Sequence, residues 1–456
     1  MRILIAGASG FIGRALIDRL LADPRCEVVA LSRRHQTSDH PRLQWRQCDL
    51  FSMKQLAESM SGCTRAFYLV HSMLPTAALD QGSFYDFDLI LADNFARCAQ
   101  AGGVEQIVYL GGMIPENEQL SWHLKSRLEV ETVFRQSGIP FTVLRAGLIL
   151  GRGGSSFDIL TKLVKRLPWM ICPAWTRTVS QPIALDEVIE ALFSSLVDPR
   201  HLNRIFDLGG PQVMTYQELL LKTAKVLGVR RKLFSFNLIP LGLSRLWVSL
   251  ITGSPRDLVY PLVLSLKHAM VARQDRNWSD WTRERVTVEE ALRQALGPSG
   301  GRIRGGVAIP SAPEPRIVRS VQRLPLPAGW NAGNVADEYF RWLPGFLFFL
   351  VRVRVRGAEC SFYLGSPRIL LLRLEKSLER STPDRQLLYV RGGYLASSKI
   401  SRGRLEFREA LNGQVTLAAL HDFIPALPWV IYRFSQALIH VWVMRAFGRH
   451  LARFRK

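Results

Sequence analysis

The first twenty residues carry the pattern that most constrains the fold of this chain. Residues 2–6 are an apolar stretch that predicts a strand, and residues 14–21 have the apolar spacing of a helix. Between them lies the turn Gly7-x-x-Gly10-x-x-Gly13. Glycines at this spacing allow a sharp turn, the close approach of a phosphate to the backbone, and close packing of the helix on the sheet. Because a helix N-terminus also presents free N–H groups and a positive dipole end, the pattern predicts a site for the pyrophosphate of a dinucleotide.

The second predicted strand, residues 27–31, refines the choice of dinucleotide. It ends in Ser32-Arg33-Arg34, close to where an NAD-binding enzyme carries the Asp or Glu that binds the ribose 2′-hydroxyl. No carboxylate stands there, and two guanidiniums after a small polar residue suit a 2′-phosphate. We therefore expect NADP(H) rather than NAD(H), with a solvated loop as the alternative role of the arginines.

Two further strand ends contribute polar side chains. The third predicted strand ends at Asp49-Leu50, where an Asp commonly meets the adenine, and the fourth ends at Val70-His71. His71 either lies beside the dinucleotide or caps the loop that follows.

The rest of this half continues the alternation of strands and helices. Predicted helices at 87–100 and 125–137 alternate with strands at 106–110 and 140–145, which predicts an α/β fold with a doubly wound parallel Rossmann sheet. Ligands of such sheets bind beyond the carboxyl ends of the strands. The residues expected to hold the dinucleotide are Gly7, Ser9, Gly10, Phe11, Ile12, Gly13, Ser32, Arg33, Arg34, Asp49, Leu50, Val70 and His71.

Besides the glycine turn, this half contains a set of short motifs. They are Asp49-Leu50, Asn94, and the segments 144–151, 182–188 and 206–211, followed more narrowly by 109–112, 121–127 and 166–170. The first group resembles the atypical or extended short-chain dehydrogenases/reductases over about residues 1–295. The second resembles a bacterial subgroup of NAD(P)-binding proteins whose fold carries a C-terminal domain of unknown function. That subgroup is similar to the NADPH-carrying accessory subunit of respiratory complex I and to NmrA-like redox sensors.

The resemblance implies a catalytic apparatus that the sequence contains only in part. Short-chain reductases place a Ser or Thr after the fifth strand and Tyr-x-x-x-Lys on the next helix, where the Lys lowers the pKa of the Tyr. Here Gly111 and Gly112 occupy the serine region, and Ser121 stands four residues before Lys125. A serine hydroxyl is far too weak an acid to replace a phenol near neutral pH. We therefore expect no standard Tyr–Lys chemistry.

Three weaker catalytic candidates remain. Lys125 suits a hydrogen bond to the nicotinamide ribose and so also counts among the cofactor-binding residues. His123 titrates in the right range to protonate a carbonyl, although a surface or capping role is the alternative. Ser121 completes the set.

Length and composition predict two or three domains. The chain has 456 residues, of which 48 % are hydrophobic, enough to form cores. Residues 297–315 are rich in Gly and Pro and predict a linker. It would separate a first domain, 1–296, whose residues 211–296 form a mostly helical substrate or lid part, from a basic α+β domain, 316–456.

The cysteines predict neither a metal site nor disulfides. All six stand singly, without a Cys-x-x-Cys pair, which fits a reducing cytoplasm. The chain enters its first strand at once, so no signal peptide is expected.

Residues 233–266 are unusually apolar. Pro240, Pro255 and Pro261 interrupt the stretch too often for a spanning helix of about 20 apolar residues. It is predicted to be a lid over an apolar substrate cleft or an interfacial segment, with domain core as the alternative.

The last domain is predicted to be a sheet closed by one long helix. These are the parts of a helix-grip fold, as in START-like proteins, whose cavity holds apolar ligands. The predicted strands are 346–355, 368–374, 386–391, 403–408 and 415–423, and the predicted helix is 428–454.

Positive charge is concentrated in this last domain. The chain carries +22, and residues 301–456 contain 25 Lys and Arg against 10 Asp and Glu. The terminal helix combines aromatic and aliphatic residues with arginines, a composition typical of a helix on anionic lipid. A core-packing helix with a basic end is the alternative. Nucleic acid is not favoured, because no recognition motif accompanies the charge.

Two functions stay open from the sequence. In the first, the protein binds NADP(H) without standard turnover, as a redox sensor or a factor associated with a membrane complex. In the second, it is an NADPH-dependent oxidoreductase or isomerase of an apolar, lipid- or quinone-like substrate. The missing tyrosine favours the first and the apolar stretch favours the second. Either would act in the cytoplasm, with the inner membrane face as a further expected location.

Overall fold

The computed structural model describes the chain except residues 74–76, 117–118, 237–240, 298–315, 349, 366–367, 398–402 and 455–456. The chain divides into two compact units, one formed by 1–73 with 92–308 and the other by 74–91 with 309–456. Apart from Gly297, the predicted linker lies outside the described residues, so the predicted boundary stays a prediction.

The elements of the described residues are as follows, in chain order. The strands are β1 (Arg2–Ala6), β2 (Glu27–Ser32), β3 (Leu43–Gln47), β4 (Arg65–Tyr68), β5 (Leu79–Gln81), β6 (Gln106–Gly112), β7 (Phe141–Ala146), β8 (Ile149–Leu150), β9 (Trp169–Cys172), β10 (Val179–Ser180), β11 (Ile183–Ala184), β12 (Arg204–Leu208), β13 (Met214–Thr215), β14 (Lys232–Ser235), β15 (Val318–Pro325), β16 (Val351–Arg356), β17 (Glu359–Leu364), β18 (Leu370–Lys376), β19 (Arg385–Gly392), β20 (Arg404–Ala410) and β21 (Val415–Phe423). The helices are α1 (Phe11–Leu21), α2 (Met53–Met60), α3 (Phe84–Ala101), α4 (Trp122–Gln136), α5 (Ser155–Arg166), α6 (Leu185–Val197), α7 (Tyr216–Val226), α8 (Leu241–Thr252), α9 (Arg256–Ser265), α10 (Val288–Leu296), α11 (Ala332–Phe346), α12 (Trp429–Phe434) and α13 (Gln436–Ala452).

The first unit is built on a seven-stranded parallel sheet in the order β12-β7-β6-β4-β1-β2-β3. This confirms the predicted doubly wound Rossmann sheet. The order of the strands reverses between β1 and β4, and a crevice opens at such a switch point beyond the carboxyl ends of the strands. The glycine turn follows β1 and therefore lies at this crevice.

Apolar strands with both faces covered hold the first unit together. Ile3, Leu4 and Ile5 are fully buried, because helices pack on both sides of a parallel sheet. One buried ion pair fixes α4 to β7: Arg145 Nε and Nη2 donate to the two Glu131 carboxylate oxygens, each at 2.9 Å. The pair thereby ties the second half of α4 to the end of β7.

The connection between β2 and β3 has no helix. Residues 33–42, all of them described, run as loop, whereas the other parallel connections of this half carry helices. A cavity of about 920 Å³ lies along this side, lined by Phe11, Arg14 and Asp18 of α1, by 36–40 and by Trp45. The missing helix leaves this space beside α1 open.

The second unit is a mixed sheet in the order β16-β17-β18-β19-β20-β21-β15-β5. The strands from β16 to β21 and β15 pair antiparallel, and β5 adds to β15 in parallel. The helices α11 and α13 cover one face, where Tyr339, Phe407 and Phe447 meet. The prediction of a sheet with a long terminal helix is confirmed, whereas the helix-grip, START-like assignment stays a prediction.

Two predictions for this unit were wrong in detail. The strand predicted at 346–355 begins only at Val351, because α11 runs to Phe346. The terminal helix is divided in two at Ser435, whose φ of −128° and ψ of −88° are not helical.

The apolar stretch 233–266 forms β14, α8 and α9, apart from the residues outside the description. Val248, Val259 and Val263 pack together as a small core, while Leu243, Leu246 and Leu250 are exposed. The stretch is thus core on one side and surface on the other. Over the described residues, the longest apolar helices fall short of what crossing a bilayer requires.

Candidate dinucleotide-binding site

The glycine turn is shaped by contacts within the protein itself. Gly7 has φ +88°, a left-handed conformation, and a Cβ there would lie 2.8 Å from the Leu69 carbonyl oxygen. A Cβ on Gly13 would lie 2.3 Å from the Gly7 carbonyl oxygen. Side chains are therefore excluded at Gly7 by the loop after β4, and at Gly13 by the turn under α1. Both strand ends of the switch point thus meet at this turn.

Gly10 is less constrained by the protein than Gly7 and Gly13. Its backbone is extended, with φ −78° and ψ 177°, and a Cβ there would lie 3.1 Å from the Gly7 carbonyl oxygen, a tight but less severe contact. Gly10 caps α1 without any side-chain hydrogen bond, and no acidic residue lies in the first turn. The first turn of α1 is thus left without a side-chain cap or an acidic residue, and the free N–H groups of a helix N-terminus suit an anion.

The end of β2 holds the predicted phosphate-binding residues. Ser32 is buried, and its Oγ accepts a hydrogen bond from the Arg34 backbone N–H at 3.2 Å. This turn carries Arg33 and Arg34 outward, where both side chains are exposed. Within the described part of the chain, neither guanidinium has an ion pair. Because β2 is the neighbour of β1, the two cations stand next to the glycine turn.

The ends of β3 and β4 carry the remaining predicted residues of this edge of the sheet, which we call the rim of the predicted site together with the glycine turn and the end of β2. Asp49 Oδ1 accepts from the Phe51 N–H at 3.1 Å. The carbonyl oxygen of the buried Leu50 accepts a hydrogen bond from Asn94 Nδ2 at 2.9 Å. Val70 is half-buried and His71 is exposed. Asp49 and Leu50 therefore form a hydrogen-bonded turn held by Asn94. The ring of His71 reaches solvent, and its two predicted roles, beside the dinucleotide or as a cap of the loop, both stay predictions.

Ser121 proves to be a helix cap. It precedes α4, its Oγ accepts from the Leu124 N–H at 3.4 Å and lies 3.0 Å from Ser265 Oγ, and its own N–H donates to His268 Nε2 at 3.2 Å. The side chain is 6 % exposed. A buried hydroxyl tied in this way orders the start of α4 and has little freedom to act on a substrate.

Lys125 lies on the outer side of α4. Its side chain is exposed, and its Nζ sits 5.3 Å from the centre of the Trp122 ring, within the range of a cation–π interaction. The structure therefore shows an interaction within the helix and none with the strand ends. Its predicted bond to a ribose stays a prediction.

Two histidines come together near the carboxyl ends of β4 and β6. The rings of His71 and His123 are 6.4 Å apart, and His123 Nδ1 lies 3.0 Å from Ser265 Oγ. Desolvation by the surrounding protein and, secondarily, the Arg127 guanidinium lower the pKa of His71.

Sequence reasoning assigned no role to three residues of this region. Arg127 is buried, with its Cγ 3.6 Å from the position of a Cβ on Gly112. Ser265 and His268 hold Ser121 and His123. Arg127 is four residues after His123 and so on the same helix face, a spacing that could have drawn attention to it. Ser265 and His268 lie more than 140 residues away and gave no signal.

The cavity beside α1 is separate from this rim. Among the predicted cofactor residues only Phe11 lines it. The dinucleotide site predicted at the glycine turn therefore does not coincide with this cavity, and it stays a prediction.

Comparison with known proteins supports an NAD(P)H-binding domain. Residues 7–164 match a family model described as NAD(P)H-binding. The auxiliary protein GraX of Staphylococcus aureus is 29 % identical over 119 residues, which are 26 % of this chain and 39 % of that protein. The chain thus matches about two fifths of the length of this relative.

Solved structures share the fold of the first unit. A nucleoside-diphosphate-sugar epimerase from S. aureus has a TM-score of 0.51 at 17 % identity, covering 64 % of this chain and 100 % of its own. The triphenylmethane reductase of Citrobacter sp. complexed with NADP(H) has a TM-score of 0.50 at 18 % identity, covering 65 % and 100 %. Residues 7–164 thus match an NAD(P)H-binding family model, and the first unit shares its fold with these solved structures.

Proposed function

We propose that this protein binds NADPH in preference to NADH and does so without standard short-chain reductase chemistry. The observation that carries the proposal is the pair of exposed arginines, Arg33 and Arg34, at the end of β2 beside an uncapped helix N-terminus. The turn from Gly7 to Gly13 would hold the pyrophosphate through backbone N–H groups. Ser32, Arg33 and Arg34 would hold the 2′-phosphate.

The remaining rim residues have supporting roles in this proposal. Asp49 and Leu50 would border the adenine, while Val70 and His71 would border the nicotinamide half, with Lys125 near its ribose. When bound, NADPH supplies a hydride. The proton that must accompany hydride transfer has no tyrosine donor here, since Ser121 is a buried cap and Gly111 and Gly112 carry no hydroxyl.

A binding role without standard turnover follows from this arrangement. We propose a sensor of the NADPH level or an assembly factor of a membrane complex, acting in the cytoplasm. The six cysteines stand singly in the sequence, which supports a reducing compartment.

Calorimetric titration with NADPH and NADH tests the cofactor preference. We expect NADPH to bind more tightly, and the Arg33→Ala/Arg34→Ala variant to lose about ten- to a hundredfold in NADPH affinity, on the scale of charged hydrogen bonds. NADH affinity should hardly change. Arg135→Ala, an exposed arginine at the far end of α4, is the matched control. Equal affinities of the unmodified protein for both dinucleotides would refute the preference.

A second function, NADPH-dependent reduction of an apolar carbonyl or quinone, is favoured by the histidine pair. His123 lies 6.4 Å ring to ring from His71 and could hand a proton to the substrate oxygen. Turnover of NADPH with a panel of quinones distinguishes the two functions. In the reductase case, His123→Ala should lower kcat at least tenfold with NADPH affinity intact, whereas a binding-only protein would show no turnover to lose.

A further inference from the structure

The two terminal helices expose an unusually large set of apolar side chains. Large apolar residues normally lie inside, and contiguous exposed patches of them mark interaction sites. Here Phe434 is 70 % exposed, and a line of aliphatic and aromatic residues accompanies it along α12 and α13. We name this set the apolar face; it consists of Val430, Ile431, Phe434, Leu438, Ile439 and Trp442.

The apolar face is additional to the side of α13 that packs in the core. Val443, Met444, Phe447 and Leu451 are at most 5 % exposed and fill the unit between α11 and the sheet. Tyr432 of α12 and Ala437 of the first half of α13 are also buried in this core. The exposed residues of the apolar face are not among the buried residues of the core.

The turn after α11 extends the apolar face. Phe346 lies 4.7 Å from Trp442, ring centre to ring centre. Two residues later, Phe348 is 92 % exposed with φ +50°, and Leu350 is 60 % exposed. Because the Phe348 ring is almost fully exposed to water, it does not contribute to the packing of the core.

All the fully charged side chains of α12 and α13 are basic. After Asp422 the sequence contains no Asp or Glu. Arg433, Arg445 and Arg449 are exposed on α12 and α13. A partner must therefore offer an apolar interior beneath a negatively charged surface.

We propose that this face docks on the surface of an anionic lipid bilayer. Aromatic and aliphatic side chains would enter the boundary between headgroups and acyl chains, while the arginines meet lipid phosphates. A second copy of the chain is a poorer occupant, because two such faces would bring like charges together. The chemistry fits a peripheral, salt-sensitive attachment.

Vesicle cosedimentation of the full chain tests this. The probes are vesicles of phosphatidylcholine alone and vesicles in which about a third of the lipid is phosphatidylglycerol. We expect sedimentation with anionic vesicles only, weakening at least about tenfold when salt rises from low to several times physiological strength. The Ile431→Ser/Phe434→Ser/Leu438→Ser variant should lose binding at least about tenfold. The matched control is Val197→Ser/Val213→Ser/Leu221→Ser, which removes an equal number of exposed apolar residues from the first unit.

Each outcome decides the matter. Equal binding by the two triple-serine variants, or binding to neutral vesicles as strong as to anionic ones, would overturn the proposal. So would failure to sediment at low salt. Should the chain instead form dimers that the α12–α13 variant dissolves, in analytical ultracentrifugation without lipid, the face is an interface between copies. The thermal unfolding of the α12–α13 variant is measured as well, and an unchanged midpoint shows that a loss of vesicle binding is not caused by a loss of folded protein.

Discussion

At the scale of single residues, the three glycines of the turn from Gly7 to Gly13 have different roles. Gly7 and Gly13 lack side chains because the protein's own backbone occupies the space. Gly10 has an ordinary extended backbone and a milder contact, so the space above it is available to a ligand. Stability and binding should therefore separate along this short turn.

Alanine substitutions at Gly10 and Gly13 should affect different quantities: cofactor binding for Gly10 and the stability of the fold for Gly13. Gly13→Ala forces a Cβ against the Gly7 carbonyl oxygen and should destabilise the fold by about 1–3 kcal/mol, as overpacking does. Gly10→Ala should change the unfolding free energy by less than about 1 kcal/mol, yet weaken NADPH binding at least about tenfold. Urea unfolding and calorimetry measure the two quantities. A Gly10→Ala protein that binds NADPH normally would show that the phosphates lie elsewhere.

Ser121→Ala should act on stability alone. Loss of an N-cap hydroxyl costs about 0.5–2 kcal/mol, and here the bond to Ser265 Oγ is lost as well. Cofactor affinity should be unchanged, and any NADPH-dependent turnover should fall less than about twofold beyond the loss of folded protein. Unfolding curves and steady-state rates provide the measurements. A hundredfold drop in kcat with intact affinity would give the hydroxyl the chemical role denied to it here.

At the scale of elements, the sheet of the second unit contains a buried ionic cluster. Glu406 Oε1 accepts from Arg385 Nε at 2.6 Å and from Arg408 Nε at 2.7 Å, and its Oε2 lies 2.9 Å from His421 Nε2. These residues come from β19, β20 and β21 and lie on one face, opposite the helices. Such a cluster fixes which strands pair, because a register shift would leave a buried charge without its partner.

Removing the central carboxylate should be costly. Glu406→Gln removes the carboxylate charge that the buried Arg385 and Arg408 share and should destabilise the protein by about 3–5 kcal/mol. The control is Glu375→Gln, which breaks a surface pair with Arg391, about half exposed, and should cost at most about 1 kcal/mol. Urea unfolding of both variants gives the comparison. Similar losses from the two would mean that the cluster contributes no more than a surface pair.

Stability should fall as the pH drops from 6.5 toward 4. Desolvation, followed by Arg404, lowers the pKa of His421 from 6.5 to about 4, against the opposing effects of Glu406 and Asp422. Because the pKa is lower in the folded protein, the unfolded chain binds the proton first, and the contribution is present above pH 6.5 and lost below it. The full shift corresponds to roughly 3 kcal/mol. Unfolding free energies at several pH values should show this slope, and His421→Gln should flatten it; a flat profile in the unmodified protein would contradict it.

At the scale of the whole molecule, the parts that sequence predicts are those with a local signal. The parallel sheet could be predicted because each of its strands and turns has a sequence pattern within about ten residues. The glycine turn was recognised by the spacing of its glycines alone. Ser121 and His123 were singled out from the sequence as weak catalytic candidates, which stays a prediction. Their partners, Ser265 and His268, come from α9 and the loop after it and could not be found, because no periodicity connects residues so distant. The break at Ser435 likewise depends on packing that composition does not encode.

The strand β5 has a consequence for how the protein is made. Gln322 Nε2 donates to the Gln81 carbonyl oxygen 241 residues earlier, since β5 adds to the edge of β15 in the second unit. At about 5–20 residues per second, the ribosome delivers β15 roughly 10–50 s after β5. During that interval the short strand has no sheet to join. A gene fragment that starts within 297–315 would never encode it, and its product would leave the edge of β15 unpaired and open to aggregation.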